Sequence, residues 1–146
     1  MTGQGNSAIT ILVDAAATAG RLALIEFVMQ PGDEPPCHRH YGEDELFYVL
    51  AGELALFIEG KWVRLPPGQV VMIPRSAEHT FAVLSDTARW LTVFTPAGFE
   101  GFYRDGNGHA PFNNFEQWVT AAARYGCEIT GPHPGRPAPH QLDLSA

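Results

Sequence analysis

Cysteine, clustered positive charge and long apolar runs are all scarce in this chain. Only Cys37 and Cys127 occur, far apart, so a disulfide framework is not expected and a reducing cytoplasm is the expected compartment. Nine basic residues stand singly against sixteen acidic ones, for a net charge of −7. None of them cluster into a patch that would hold nucleic acid or an anionic bilayer, so neither is an expected partner. No apolar run approaches the length of a membrane span. Residues 1–7 lack the charged and apolar regions of a signal peptide. The first clear helix is not expected until residue 114, and there is no internal repeat or low-complexity segment.

What the chain has instead is short apolar runs cut apart by turns. Pro31-Gly32, Ala51-Gly52, Glu59-Gly60, Pro66-Pro67-Gly68, Pro74 and Ser85-Asp86-Thr87 separate about nine strand-length segments between residues 8 and 95. Such spacing predicts an all-β antiparallel sandwich, barrel or jelly roll. Several segments are apolar on both faces, as a strand is when a second layer covers its outer side. Residues 96–111, rich in glycine and aromatics, read as an ordered loop over the open end of the barrel. A helix is expected over 114–125. Asn114 caps it, Gly126 stops it, and Phe115, Trp118, Val119 and Ala122 form one apolar stripe. That stripe is expected to dock on the outside of the barrel. The proline-rich tail, 131–146, is expected to run extended over the surface. The 146 residues are expected to form one domain.

The stretch from Gly32 to Gly52 carries the chemistry. His38 and His40 alternate in phase on a strand, so both imidazoles face one way. Glu45 opens the next apolar run, and a turn at 41–44 would fold that run back beside the first, bringing three ligands together from neighbouring strands. His79, beginning the strand after Pro74, would complete a set of three imidazoles and one carboxylate suited to a metal. Glu43 and Asp44 compete with Glu45 for the carboxylate role, but they read as a solvated turn. His109, His133 and His140 read as surface residues. Cys37 faces away from His38 and reads as an inert packed thiol. Phe47, Val49, Phe81 and Val83 face inward, either onto a ligand or onto each other. Trp90 and Phe94 share a strand face and can line the same cavity.

These residues resemble the cupin family. The first cupin motif is matched by Gly32, His38, His40, Glu45 and Gly52 with every spacing kept. The second is matched by Gly68, Pro74 and His79, while Ser76 stands where the family has glycine and Val83 where it has asparagine. Both departures concern turn geometry and packing. The segments 43–52, 94–100 and 124–132 are similar to small single-domain bacterial cupins of the quercetin 2,3-dioxygenase-like group. The resemblance implies a double-stranded β-helix with a C-terminal helix, a homodimer, and one divalent transition metal (iron, manganese, nickel, copper or zinc) held by His38, His40, Glu45 and His79. It implies oxygenation of a small flavonol-like, phenolic or enol substrate, with Glu45 as catalytic base and Phe47, Val49, Phe81, Val83, Trp90 and Phe94 as candidate substrate walls. The rival readings are a metal-dependent isomerase, decarboxylase or cyclase acting on a chelating carbonyl compound, and a cupin that binds a small molecule without turnover.

Overall fold

A computed structural model describes residues 7–105 and 114–143. In chain order it has β1 (Ala8–Val13), a one-turn α1 (Ala15–Thr18), β2 (Ala23–Met29), β3 (Cys37–His40), β4 (Asp44–Ala51), β5 (Leu54–Ile58), β6 (Lys61–Leu65), β7 (Val70–Ile73), β8 (His79–Val83) and β9 (Ala88–Thr95). It continues with α2 (Glu100–Asp105), α3 (Phe115–Ala123), β10 (Cys127–Gly131) and β11 (Leu142–Asp143). The strands form two sheets, ordered β1-β2-β9-β4-β7 and β10-β3-β8-β5-β6-β11, every pair antiparallel except β11 with β6. This is the all-β jelly roll. Among the described residues, no helix is long and apolar enough to cross a membrane.

Strict alternation builds the inner faces. On β2 the buried residues are Ala23, Ile25, Phe27 and Met29; on β4 they are Glu45, Phe47 and Val49; on β9 they are Ala88, Trp90, Thr92 and Phe94. β8 is different, being buried at all five positions. Its outer face is covered: Ala82 packs with Ala55 and Trp62 beneath Leu142, and the Thr80 hydroxyl donates to Pro35 O. Gly52 shows how tight one hairpin is. Its φ is +76°, and a Cβ there would lie 2.2 Å from Thr87 O, so only glycine fits.

Several sequence expectations change. The 96–111 segment is not all loop, because Glu100–Asp105 is helical; Phe99, Phe102 and Tyr103 pack together at helical spacing, with ring centroids 5.0–5.4 Å apart. Residues 106–111 lie outside the described part, as does His109. α3 is capped as expected, with Asn114 Oδ1 accepting from Gln117 N at 2.9 Å, but its stripe does not dock on an outer face. Phe115 and Val119 are exposed, while Trp118 and the buried Ala122 line the interior cavity; the helix lies against β10, and Trp118 stacks on Phe102 with ring centroids 5.9 Å apart. The segment after α3 is no mere surface tail. β10 pairs with β3 in register Cys127↔His40 and Ile129↔His38. Further on, His133 Nε2 donates to Phe81 O (2.8 Å), and Arg136 donates to Val83 O (3.3 Å) and Leu84 O (2.7 Å). His133 is therefore half-buried and structural, whereas His140 is exposed.

Candidate metal centre

β3 and β8 run side by side in one sheet, with His38 opposite His79. β4 belongs to the other sheet, between β9 and β7. The turn after His40 therefore does not fold the chain back beside β3. It crosses the sandwich, and Glu45 faces the three histidines from the opposite wall. The physical reason is that β3 already has β10 and β8 on its two edges, which leaves no edge for β4.

The four donors converge in the interior. One ligand atom from each of His38, His40, Glu45 and His79 can be chosen so that all lie within 4.8 Å of one another, and all four residues are buried. Glu45 Oε1 is 3.0 Å from His79 Nε2 and 3.3 Å from His40 Nε2. Two imidazoles are held from behind: His38 Nδ1 is 2.9 Å from Pro36 O, and His79 Nδ1 is 3.0 Å from Ala77 O. A carbonyl only accepts, so each Nδ1 carries the proton and each Nε2 keeps its lone pair. His79 then has a second acceptor, Glu45, in front of an Nε2 that has no proton to give. A positive charge at that point, a proton or a metal ion, is what makes both contacts favourable. Burial foremost, then the neighbouring His79 and His40, pushes the His38 pKa well below its ordinary value, so this imidazole stays neutral as a ligand must. Burial would raise the Glu45 pKa. The hydrogen bonds and charge of His40 and His79 outweigh that and hold it well below the usual range. Three buried imidazoles converging on an ionised carboxylate are a donor set that fits a divalent transition metal.

An apolar cavity opens onto this cluster. His38, Glu45 and His79 line one part of it. Its walls include Phe27, Phe47, Phe81, Trp90, Tyr103 and Trp118. The Trp90 indole lies nearly parallel to Phe27 (centroids 5.1 Å, 2°) and to Phe47 (6.1 Å, 17°), with Phe81 edge-on at 5.1 Å. Of the candidate wall residues, Phe47, Phe81 and Trp90 line the cavity. Val49, Val83 and Phe94 are buried but do not line it. Val49 lies beside Trp90 in register, and Val83 beside Leu54; both are short side chains filling the core. Phe94 lies beside Glu45 and packs its ring on His40 and Phe99 at 5.3 and 5.2 Å.

Other residues enter that the strand pattern alone did not bring in. Phe99, Phe102 and Tyr103 of the 99–105 turn-and-helix, Trp118 of α3, and Cys127 and Ile129 of β10 all line the cavity. The i, i+3, i+4 spacing of Phe99, Phe102 and Tyr103 was a visible helical signal. Burial pushes the Tyr103 hydroxyl and the Cys127 thiol well above their ordinary pKa values, with Glu45 adding to both, so both stay protonated. Cys37 is a buried free thiol that does not reach the cavity. Asp44 is tied to Arg75 N (2.9 Å) and Arg75 Nε (3.2 Å). Glu43 departs from its solvated-turn reading. It is 8% exposed, since the crossing turn passes under residues 97–100; Glu43 Oε2 would be 3.7 Å from a Cβ on Gly98. Burial, and then the charge of Glu45, pushes its pKa up to about 7, against the pull of Arg75.

A family model described as a cupin domain matches residues 25–94. Among curated proteins, the quercetin 2,3-dioxygenase of Bacillus subtilis (strain 168) is 26% identical over 109 residues, covering 70% of this chain and 32% of that enzyme. The chain spans 50–54% of the length of the next curated relatives it matches. Among solved structures, the polyketide cyclase RemF from Streptomyces resistomycificus is 30% identical, with a TM-score of 0.54, covering 64% of this chain and 67% of that one. KdgF from Halomonas sp. superimposes with a TM-score of 0.57 at 21% identity, over 66% of this chain and 84% of that one, a likeness of fold.

Proposed function

This chain belongs to the cupin superfamily, and within it we propose a metal-dependent oxygenase that acts on a small, flat phenolic or enolic compound. The observation that carries this reading is a single cavity lined on one side by His38, Glu45 and His79 and on another by the near-parallel planes of Phe27, Trp90 and Phe47. In this reading His38, His40 and His79 hold the metal through Nε2, with Glu45 as the fourth ligand or as a nearby base. When bound, a divalent metal supplies Lewis acidity that makes a coordinated hydroxyl easier to deprotonate. The chain's own residues do the rest. Phe47, Phe81 and Trp90 receive a flat ring and exclude water. The Glu45 carboxylate takes the substrate's hydroxyl proton and returns it when product leaves, a role suited to a base within hydrogen-bonding reach of the ligand set. Similarity to the Bacillus dioxygenase supports the oxygen chemistry.

The likeness to the polyketide cyclase favours a second reading, ring closure of a chelating polycarbonyl compound. That reaction would use the same carboxylate and walls but consume no oxygen. Metal analysis of protein purified without an affinity tag should find about one divalent transition metal per chain. Oxygen uptake against a panel of phenols and diketones should then reveal turnover that consumes dioxygen. Turnover of the same panel with oxygen excluded would replace the first reading by the second. Tight binding without turnover would make the chain a binding protein.

A further inference from the structure

The three imidazoles are not held alike. His38 and His79 each place Nδ1 on the carbonyl two residues upstream, at 2.9 and 3.0 Å. His40 has no such anchor. Its Nδ1 is buried and has no hydrogen-bond partner among the described residues. The carboxylate oxygen facing it, Glu43 Oε1, is 3.9 Å away and is itself buried without a partner among those residues. Buried polar atoms are rarely left unpaired, and each such orphan needs an explanation. Here two orphans, one a donor and one an acceptor, face each other across a gap about 1 Å longer than a hydrogen bond.

We infer that Glu43 is the positioning residue for His40: its Oε1 accepts the Nδ1 proton of His40 and so aims the Nε2 lone pair into the metal centre. The geometry explains why this carboxylate is kept inside. Glu43 lies on the turn that carries the chain from β3 across to β4, so its backbone has already left the wall on which His40 stands, and only a side chain can reach back. The ring is also confined from its other sides, edge-to-face with Phe99 at 4.4 Å and with Phe94 at 5.3 Å. Closing the gap therefore needs a small shift of Glu43 rather than a swing of His40. A carboxylate behind a ligating imidazole fixes its tautomer and raises its basicity. Glu43 supplies for His40 what two backbone carbonyls supply for its companions.

The inference rests on the reading of His40 as a metal ligand, and the test separates the two. Zinc is used as the probe, with affinity measured by competition against a chromophoric chelator, and the His40 Nδ1–H resonance is followed by NMR in the zinc-loaded protein. Glu43→Ala should weaken zinc binding roughly 10–100-fold, the usual cost of losing an outer partner, and should shift or broaden the His40 Nδ1–H signal while leaving those of His38 and His79 in place. Glu43→Gln keeps a carbonyl oxygen as acceptor. It should restore the His40 signal and recover part of the affinity, and it serves as the deciding variant if Glu43→Ala does not fold. Wild-type affinity together with an unmoved His40 signal in both variants would overturn the inference while leaving the metal centre intact. A loss in Glu43→Ala as large as that in His40→Ala, with the His40 signal unmoved, would make Glu43 a ligand and also overturn it. Zinc binding unaffected by His40→Ala would overturn the ligand reading and the inference with it.

Discussion

β4 and β8 face each other from opposite sheets and carry the same three steps. On β4 they are Glu45, Phe47 and Val49; on β8 they are His79, Phe81 and Val83. The first steps meet through Glu45 Oε1 and His79 Nε2 at 3.0 Å, and the second through the Phe47 and Phe81 rings at 5.9 Å. Polar group, aromatic wall and core valine follow one another at the strand period on both sides. Yet the two strands are supported differently. β4 is flanked by β9 and β7, and its outer residues Tyr48 and Leu50 are exposed. β8 is buried on both faces, and beyond His79 one of its edges has no strand beside it among the described residues. Side chains from elsewhere close that edge: Glu34 on Val83 N, His133 on Phe81 O and Arg136 on Val83 O. A strand's inward pattern sets what a site contains, while its outer support comes from parts of the chain far away in sequence.

The first steps should be the easiest to tell apart. His79→Ala removes a metal ligand from one wall and should lower bound metal sharply. Glu45→Gln removes charge and basicity from the other while keeping an oxygen; it should retain metal more weakly but slow turnover about 10²–10⁴-fold. Metal titration and rates on both variants check this, and equal loss of metal and rate in the two would erase the distinction. At the second step, Phe81→Ala and Phe47→Ala should each cost about 3–5 kcal/mol in denaturant unfolding, since both rings are buried. A large difference between them would show that one wall relaxes around the cavity. The edge closure is weaker. Arg136→Ala should cost about 1–2 kcal/mol and speed hydrogen exchange of β8 amides, with those of β4 unchanged; equal change in both strands would mean that the tail supports the whole fold rather than β8. The smallest effect is at the turn that leads into β8. Ser76 sits at φ 73° where the family has glycine, with its N–H on His40 O at 2.7 Å. The left-handed conformation costs about 1–2 kcal/mol for such a residue, and glycine gives back about 0.5–1 kcal/mol in chain entropy. Ser76→Gly should therefore stabilise by about 0.5–1 kcal/mol, read as a higher unfolding midpoint.

The inner ladder was legible because alternation is local: the spacing of His38, His40, Glu45 and His79 and the turns between short runs need no knowledge of distant partners. What was not legible depends on what covers each piece. The four residues after His40 read as a hairpin turn, and only the occupied edges of β3 make them a crossing. Glu43 looks like a solvated turn residue until residues 97–100 lie across it. Trp118 and Val119 belong to one stripe by periodicity, yet of the two only Trp118 lines the cavity, where its ring stacks on Phe102. Cys127–Gly131 is five residues that follow one glycine and end on another; it carries little signal of its own, and its pairing is decided by β3.

That last pairing places a time order on the protein's birth. β3 acquires one of its two neighbours only when Cys127 emerges to meet His40, and at roughly 5–20 residues per second the ribosome delivers it about 4–17 s later. Throughout that interval the histidine strand offers a bare edge, the kind of surface that recruits other chains. Arg39, set between the two histidines, is the charged residue on that edge, and in the finished fold it stands 3.7 Å from Glu128 on the arriving strand. As a partly exposed pair the two contribute little to final stability. Arg39→Ala should accordingly match the wild type in equilibrium unfolding but yield less soluble protein when synthesis is fast.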